Sequence, residues 1–170
     1  TVLVLVVVGF LGYVNFVKNP KARRAAKNIY KAEMQFARDS FTNVIVGKPG
    51  AYDGAADIAD KFGGTPSGNL ANYYLGISAL KTGDFGNAIT YMKKFNPKGK
   101  LMPAIKDGVL GDAYSENGDF PTAIKHYKKA AEQNVNEFFS PYYLWKAAVA
   151  LEHSGNNAEA LEIYQQIKKD

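Results

Sequence analysis

Side chains that commonly take part in catalysis or metal binding are sparse in this 170-residue sequence. The two histidines, His126 and His153, lie far apart, and neither has a second histidine at helical spacing. Because a metal site needs several ligands that converge on one point, we expect both to be surface helix residues. Asp112 and Glu116 are four residues apart and would share one helix face, as a pair of acid/base carboxylates can. A carboxylate pair that faces solvent or a partner protein explains the same spacing.

The sequence pairs no nucleophile with a base. Ser115 and Ser154 have no nearby group at a spacing that would activate a hydroxyl. Cysteine is absent, which excludes a disulfide scaffold, a thiolate metal site and a cysteine nucleophile. We therefore predict a protein that is not an enzyme and that uses no metal, no cofactor and no small-molecule substrate.

The strongest pattern in the chain is a recurrence of small and large apolar residues at fixed spacings. Gly83, Gly118 and Gly155 lie 35 and 37 residues apart, each where a helix would end in a residue with positive φ. Between them, small residues recur where two helices would approach closely, and large residues recur where the gaps need filling. The small residues are Gly76, Ala88, Gly111, Ala123 and Ala160, and the large ones are Leu75, Leu110, Tyr114, Tyr127 and Tyr164. This pattern resembles the tetratricopeptide repeat, a helix–turn–helix unit with a period of about 34 residues.

The helical period dominates over alternation, so we predict an all-α fold, a tetratricopeptide-repeat helical solenoid preceded by one transmembrane helix. Residues 1–19 form the predicted transmembrane helix, and residues 20–170 form the repeat domain. Within the repeat domain we predict a degenerate hairpin at 20–62 and three repeats at 69–95, 104–133 and 141–169.

The degenerate hairpin departs most from the repeat pattern. Its first helix is expected to begin at Asn19-Pro20 and to continue to about residue 46, where the stretch 47–50 breaks it. A short second helix would then contain Tyr52. Further along the chain, residues 134–137 are expected to form a polar turn.

The last predicted helix carries Ile163 and Ile167, which we expect to be exposed. A solenoid normally ends in a polar capping helix. We therefore expect a further C-terminal portion after Asp170.

The N-terminal residues 2–17 carry no charge and only one strongly polar side chain, Asn15. As a helix they would span roughly 24 Å at about 1.5 Å per residue, somewhat less than the roughly 30 Å of a bilayer core. We therefore expect the sequence to begin inside a transmembrane helix whose first residues precede Thr1. A signal peptide would be followed by a small-residue cleavage site, whereas Lys18-Asn19-Pro20-Lys21 follows here. A buried strand would need a sheet, which a helical solenoid does not offer.

The net charge of +5 comes from one short segment. Six basic residues, here called the collar, precede the first acidic residue, Glu33; they are Lys18, Lys21, Arg23, Arg24, Lys27 and Lys31. From residue 32 onward there are 15 basic and 16 acidic residues, so the repeats offer no basic surface for nucleic acid. By the positive-inside rule the collar would place the repeats in the cytoplasm. Contact with anionic headgroups, by contrast, can occur on either face of a membrane, so the charge pattern leaves the topology open.

Repeats of this kind present a groove lined by the first helix of each pair. When the sequence is aligned with the tetratricopeptide-repeat pattern, which we call the repeat frame, eight residues fall at positions that line the groove. They are Tyr73, Ile77, Asp112, Glu116, Tyr142, Trp145, Val149 and His153. Tyrosine and tryptophan are enriched in binding hot spots, so Trp145, the sole tryptophan, is the foremost candidate for a partner contact. Packing of Tyr142 and Trp145 between neighbouring repeats would explain the same residues equally well.

Short phrases along the chain resemble the tetratricopeptide-repeat ancillary subunit of the bacterial Sec translocon, in the form found in Bacteroidota. They are Asn69-Leu70-Ala71-Asn72-Tyr73-Tyr74, Gly111-Asp112-Ala113, Lys129-Ala130-Ala131, Asn136-Glu137-Phe138, Pro141-Tyr142-Tyr143-Leu144 and Lys146-Ala147. The order of a single span, a helix and a small repeat domain is also similar, and the resemblance covers essentially the whole chain. It implies a single-pass anchor in the bacterial inner membrane, repeats in the periplasm, and partners that include the translocon, periplasmic chaperones or emerging chains. It implies no catalytic residues.

Two other functions are compatible with the same residues. The chain would also suit a scaffold or assembly subunit of a different cell-envelope membrane complex. It would suit, as well, an adaptor whose repeats face the cytoplasm.

Overall fold

The computed structural model describes residues 2–133 and 137–169, apart from the side chains of Asn15 and Lys169. The predicted turn at 134–137 lies, except for its last residue, outside the described residues. In the described ranges the chain is predominantly helical, which confirms the predicted all-α class. The chain divides into two compact units, and the division falls between Leu75 and Gly76.

The N-terminal unit starts with one continuous helical stretch, Val2–Phe36, which is long and apolar enough to cross a membrane. The stretch comprises α1 (Val2–Tyr13), a π-helical segment (Val14–Lys18) and α2 (Asn19–Phe36). The large apolar side chains of α1 are all exposed. α2 begins where Asn19-Pro20 predicts a helix start, but no loop separates it from α1. The wider π-helical turn directly before Pro20 relieves the clash between the proline ring and the preceding turn, so the helix continues.

The helix that follows the collar ends earlier than the sequence analysis predicts. α2 stops at Phe36, and the backbone turns at Asp39, whose φ of 54° lies in the left-handed region. The short helix α3 (Phe41–Val46) follows this turn. The ring centroids of Phe36 and Phe41 lie 5.8 Å apart, so aromatic packing across the turn joins two helices where one was expected.

The predicted break at 47–50 is part of a small strand pair. β1 (Gly47–Lys48) and β2 (Tyr52–Asp53) are antiparallel, with Gly47 opposite Asp53. The prediction that Tyr52 lies in a helix is therefore wrong, and α4 (Ala55–Lys61) begins after it. A Cβ atom at Gly47, where φ is 71°, would lie 2.6 Å from the Tyr52 carbonyl oxygen. Glycine is therefore required where the two strands approach.

The helices α2, α3 and α4 enclose the core of the N-terminal unit. The buried side chains of these three helices are Ala25, Ile29 and Ala32 of α2, Val44 of α3, and Ala55 and Ile58 of α4. The buried residues of α2 are three and four positions apart, so they form one apolar face of the helix. The six collar side chains of the same helical stretch are all exposed.

The C-terminal unit consists of successive helices joined by short connections. They are α5 (Pro66–Lys81), within which the division of the units falls, α6 (Phe85–Lys94), α7 (Met102–Glu116), α8 (Phe120–Gln133), α9 (Phe139–His153) and α10 (Asn157–Lys169). Gly83, Gly118 and Gly155 follow α5, α7 and α9 with φ angles of 80°, 79° and 79°. This confirms the predicted helix-end role of these glycines.

Close helix approach in the C-terminal unit depends on glycines covered by large side chains. A Cβ atom on Gly111 of α7 would lie 2.5 Å from ring atoms of Tyr127 on α8. A Cβ atom on Gly76 of α5 would lie 2.6 Å from Cε of Met92 on α6. The predicted small residues of the second helices are buried as well: Ala88, Ala123 and Ala160. The predicted small residues at these positions are therefore confirmed, as is Tyr127 as the large residue beside Gly111, whereas the role of Met92 beside Gly76 was not predicted.

The last helix is better covered than the sequence analysis predicts. Ile163 is only 7% exposed and belongs to the main core cluster of α7–α10, and Ile167 packs against the same cluster. The expectation that both are exposed is wrong for Ile163. α10 turns the face that carries Ala160 and Ile163 towards the core, so these two residues pack against the preceding helices, whereas Leu161 stays exposed.

Candidate protein-binding surface

The helices α7 and α9 bring together several of the residues predicted to line the groove. Lys146 Nζ on α9 lies 2.7 Å from Asp112 Oδ1 on α7. The hydroxyl of Tyr127 on α8 donates a hydrogen bond of 2.7 Å to the same Asp112 oxygen. Asp112 therefore holds one side chain from each of the two following helices. We call the surface formed by Asp112, Glu116, Tyr142, Trp145 and Lys146 the open side of α7 and α9.

Lys146 is held between two aromatic rings as well as by its carboxylate partner. Its Nζ lies 5.0 Å from the ring centroid of Tyr142 and 5.7 Å from that of Tyr127, both within cation–π range. Burial lowers the pKa of Lys146, but the charge and hydrogen bond of Asp112 outweigh burial and leave its pKa raised. Burial, together with Asp112, raises the pKa of Tyr127. Lys146 is therefore charged and Tyr127 neutral at physiological pH.

The open side carries two exposed aromatic side chains. Tyr142 is 48% exposed and Trp145 is 51% exposed, so neither side chain is buried between helices. Tyr143, the neighbour of Tyr142, fills that role. It is only 6% exposed, and its ring covers the position of a Cβ atom on Gly108 of α7. Val149 is half-buried, and Glu116 is exposed.

An open depression of about 520 Å³ adjoins Asp112 and Lys146. Its polar wall consists of Lys81, Asp112, Ser115, Glu116 and Lys146, and its apolar wall includes Leu80 and Phe85. A depression of this kind offers both charge and apolar contact to an approaching peptide segment. Its residues belong to the C-terminal unit.

The remaining predicted groove residues have other surroundings. Tyr73 belongs to the N-terminal unit, where its ring centroid lies 5.4 Å from that of Tyr74 and 6.5 Å from that of Phe36. Burial raises the pKa of Tyr73, and burial with a smaller effect of Glu33 raises the pKa of Tyr74 to about 12. Ile77 is half-buried on α5.

His153 is exposed at the end of α9, as predicted, and its ring stacks on Phe120 with the centroids 5.5 Å apart. His126, by contrast, is not a simple surface residue. Its Nδ1 lies 2.8 Å from Oδ1 of Asp107, and its side chain is 20% exposed. In the residues that the structure describes, no cluster of histidine and acidic side chains is arranged to hold a metal ion.

The buried carboxylate of Asp107 is a feature that the sequence analysis missed. Asp107 is 3% exposed and is surrounded by His126, Lys129 and Gln133 of α8. Lys129 Nζ lies 3.0 Å from Oδ2, and Gln133 Nε2 donates a 2.9 Å hydrogen bond to the same oxygen. Burial by itself raises the pKa of Asp107, but these three side chains outweigh burial and hold it below its ordinary value. The available signal was its position four residues before Gly111, on the packed side of α7.

Comparison with known protein families gives a match in the C-terminal unit. The family model of the tetratricopeptide repeat matches residues 109–170, which include most of α7 and all of α8, α9 and α10. No curated protein matches the chain significantly. Repeats of this family generally serve as non-enzymatic scaffolds that bind other proteins. Residues 109–170 of the C-terminal unit are therefore similar to the tetratricopeptide repeat, and the residues of the open side of α7 and α9 lie within this matched segment.

Proposed function

We propose that this chain is a membrane-anchored protein-interaction module whose open side binds a segment of a partner protein. The observation that supports the proposal is that Tyr142 and Trp145 are exposed next to Lys146. The position of Lys146 is fixed by its ion pair with Asp112. Aromatic side chains of this kind contribute large contact areas with little loss of conformational freedom, and they dominate many binding interfaces.

The fixed polar groups strengthen the case for this surface. Asp112 holds Lys146 and Tyr127, so the charged groups at the centre of the open side need no reordering when a partner arrives. Preorganisation of this kind reduces the entropic cost of association. Val149 and Glu116 border the same surface, and Ile77 of the same unit is proposed as a further contact residue from its position in the repeat. Tyr73 belongs to the N-terminal unit and is proposed separately as a contact residue of that unit.

We propose that the partner is the Sec translocon of a bacterial inner membrane, with periplasmic chaperones or emerging chains as further partners. The resemblance in short phrases along the whole chain supports this assignment. The exposed apolar helix supports a single-pass anchor, and the exposed collar supports contact with anionic headgroups at its end. The resemblance also supports a periplasmic position for the repeats.

The first experiment is purification of the full-length protein from native membranes in a mild detergent, followed by identification of bound proteins. Recovery of the translocon core is the expected result, with loss of that recovery when residues 1–31 are replaced by an unrelated span. Recovery of a different envelope complex, without translocon above background, would overturn the Sec assignment and favour a scaffold subunit.

The contact surface is tested in the same purification with the double variant Tyr142→Ala/Trp145→Ala. Because aromatic hot-spot residues each contribute about 2 kcal/mol or more, we expect at least a tenfold loss of the recovered partner. Leu161→Ala is the control, since Leu161 is an apolar residue of α10 that is 57% exposed and is not one of the residues of the open side. Equal recovery with the double variant and the control would refute the role of the open side.

The topology is tested separately by adding protease to spheroplasts. Periplasmic repeats would be digested in intact spheroplasts. Protection until the membrane is lysed would place the repeats in the cytoplasm and favour the adaptor function.

A further inference from the structure

The N-terminal unit has an open cleft of about 370 Å³ at the end of its apolar helical stretch. One wall consists of the π-helical segment and the first turns of α2, and the other consists of the C-terminal end of α4. The lining residues are Phe16, Val17, Pro20, Lys21 and Arg24 from the first wall and Lys61 and Phe62 from the second. Residues about 40 positions apart in the sequence therefore meet beside the collar.

The cleft changes character along the helix axis. Phe16 and Val17, at the end nearer to α1, are 84% and 51% exposed. Lys21 and Arg24, one to two turns further along, are exposed cations. The four residues lie near one face of the helix because they are spaced by one, four and three positions. The cleft is therefore apolar towards the membrane-spanning segment and cationic away from it.

We propose that this cleft binds a phospholipid with an anionic phosphodiester headgroup. The phosphate would contact Lys21, Arg24 and Lys61, and the acyl chains would follow Phe16 and Val17 towards the bilayer. Arginine and lysine are the usual partners of phosphate oxygens. The inference rests on the proposed membrane anchor, because the anchor brings this end of the helix to the level of the headgroups.

Lys61 distinguishes this site from the collar, because Lys61 lies on α4 and adds a cation from a second helix. Its Nζ lies 3.3 Å from Oδ1 of Asp53 and 3.7 Å from Oδ1 of Asp57, which hold the ammonium group at the mouth of the cleft. The three cations and these two carboxylates leave one net positive charge. That charge matches a lipid with a single negative charge better than it matches doubly charged phosphate.

The collar itself supplies a matched control. Arg23, Lys27 and Lys31 belong to the same helix and are also exposed, but they are not among the residues that line the cleft. Replacing them removes the same charge as replacing Lys21, Arg24 and Lys61. A diffuse attraction to headgroups would be weakened equally by both sets.

The experiment is native mass spectrometry of the full-length chain in a non-ionic detergent, titrated with dioleoyl phosphatidylglycerol. We expect one lipid per chain, at least about tenfold weaker retention in the K21Q/R24Q/K61Q variant, and about fivefold weaker retention in K61Q alone. The R23Q/K27Q/K31Q variant should retain the lipid as the unsubstituted chain does. Circular dichroism checks that each variant is folded, which is expected because all six side chains are exposed.

Three results of the lipid titration would overturn the proposal. Equal weakening by the two triple variants would mean diffuse attraction, and equal retention of dioleoyl phosphatidylcholine would mean that the headgroup charge is not recognised. Displacement of the lipid by millimolar inorganic phosphate would mean that the site binds free phosphate. Flotation of the chain with neutral phosphatidylcholine vesicles tests the anchor independently. Failure to float would overturn the anchor and this site together, whereas flotation without lipid retention would overturn this site alone.

Discussion

The helices α7 and α9 have two sides that use the same residue types for different purposes. On the closed side, Asp107 of α7 and Tyr143 of α9 are 3% and 6% exposed and pack into the core. On the open side, Asp112 and Tyr142 present part of their surface to solvent. The comparison teaches that an acid and a tyrosine can be structural or available for binding within a few residues of each other. The face of the helix decides between the two roles.

The largest contrast is expected between the two neighbouring tyrosines of α9. Tyr143→Ala should lower the free energy of unfolding by about 3–5 kcal/mol, because it removes a buried ring and leaves a cavity beside Gly108. Tyr142→Ala should lower it by less than about 1 kcal/mol, since surface substitutions have small effects. Urea unfolding followed by circular dichroism measures both. Similar losses in the two variants would contradict the assignment of closed and open sides.

Substitution of the two aspartates of α7 should show the same contrast in stability, with the larger loss at the buried residue. Asp107→Ala leaves His126 and Gln133 without the buried carboxylate to which they hydrogen-bond, and should destabilise the fold by about 2–3 kcal/mol. Asp112→Ala removes a partly exposed ion pair and should cost about 1 kcal/mol. The same unfolding assay compares them. A larger loss for Asp112→Ala would mean that the open side also supports the core.

The close approach of α7 and α8 is tested with glycines. Gly111→Ala should destabilise the fold by about 1–3 kcal/mol, because the new methyl group overlaps the ring of the buried Tyr127. Gly86→Ala on α6 is the control, since no neighbouring atom lies within 4 Å of a Cβ there. The control should be neutral or more stable by about 0.5 kcal/mol, because alanine favours helix. Thermal unfolding of both variants would show a lower midpoint for Gly111→Ala alone.

The smallest effect is the pH dependence that Asp107 imposes. Its folded-state pKa lies below the ordinary value near 3.8, so its contribution to stability is complete above that pH. The contribution should be lost as the pH falls through the lowered pKa. Asp107→Asn should therefore have a flatter stability profile below pH 4 than the unsubstituted chain. Equal slopes in the unsubstituted chain and Asp107→Asn would contradict the low pKa.

The repeat pattern predicted the helical core well, because the residues that make up the pattern are the ones that pack between the helices. A glycine opposite a large residue is needed wherever two helix axes approach, and Gly111 with Tyr127 satisfies that need. Residues 39–53 were predicted less well. The strands there are two residues long, which is too short for alternation to appear, and the turn at Asp39 depends on packing between Phe36 and Phe41.

The candidate binding surface was predicted in part. The repeat frame indicated Asp112, Tyr142 and Trp145, but it could not distinguish packed aromatics from exposed ones. It gave no indication that Lys146 is the partner of Asp112, because the two residues are 34 positions apart. A contact at that distance depends on how successive helices stack.

The sequence by itself determined the helical class, the glycines that end the helices, the apolar N-terminal stretch and the charge of the collar. Each of these follows from residue type and spacing within one or two helices. Only the tertiary structure decided which aspartate is buried, which tyrosine is exposed, and that Lys61 joins Lys21 and Arg24 at one cleft. These outcomes depend on the rotation and stacking of helices distant in sequence, and helical periodicity alone does not specify them.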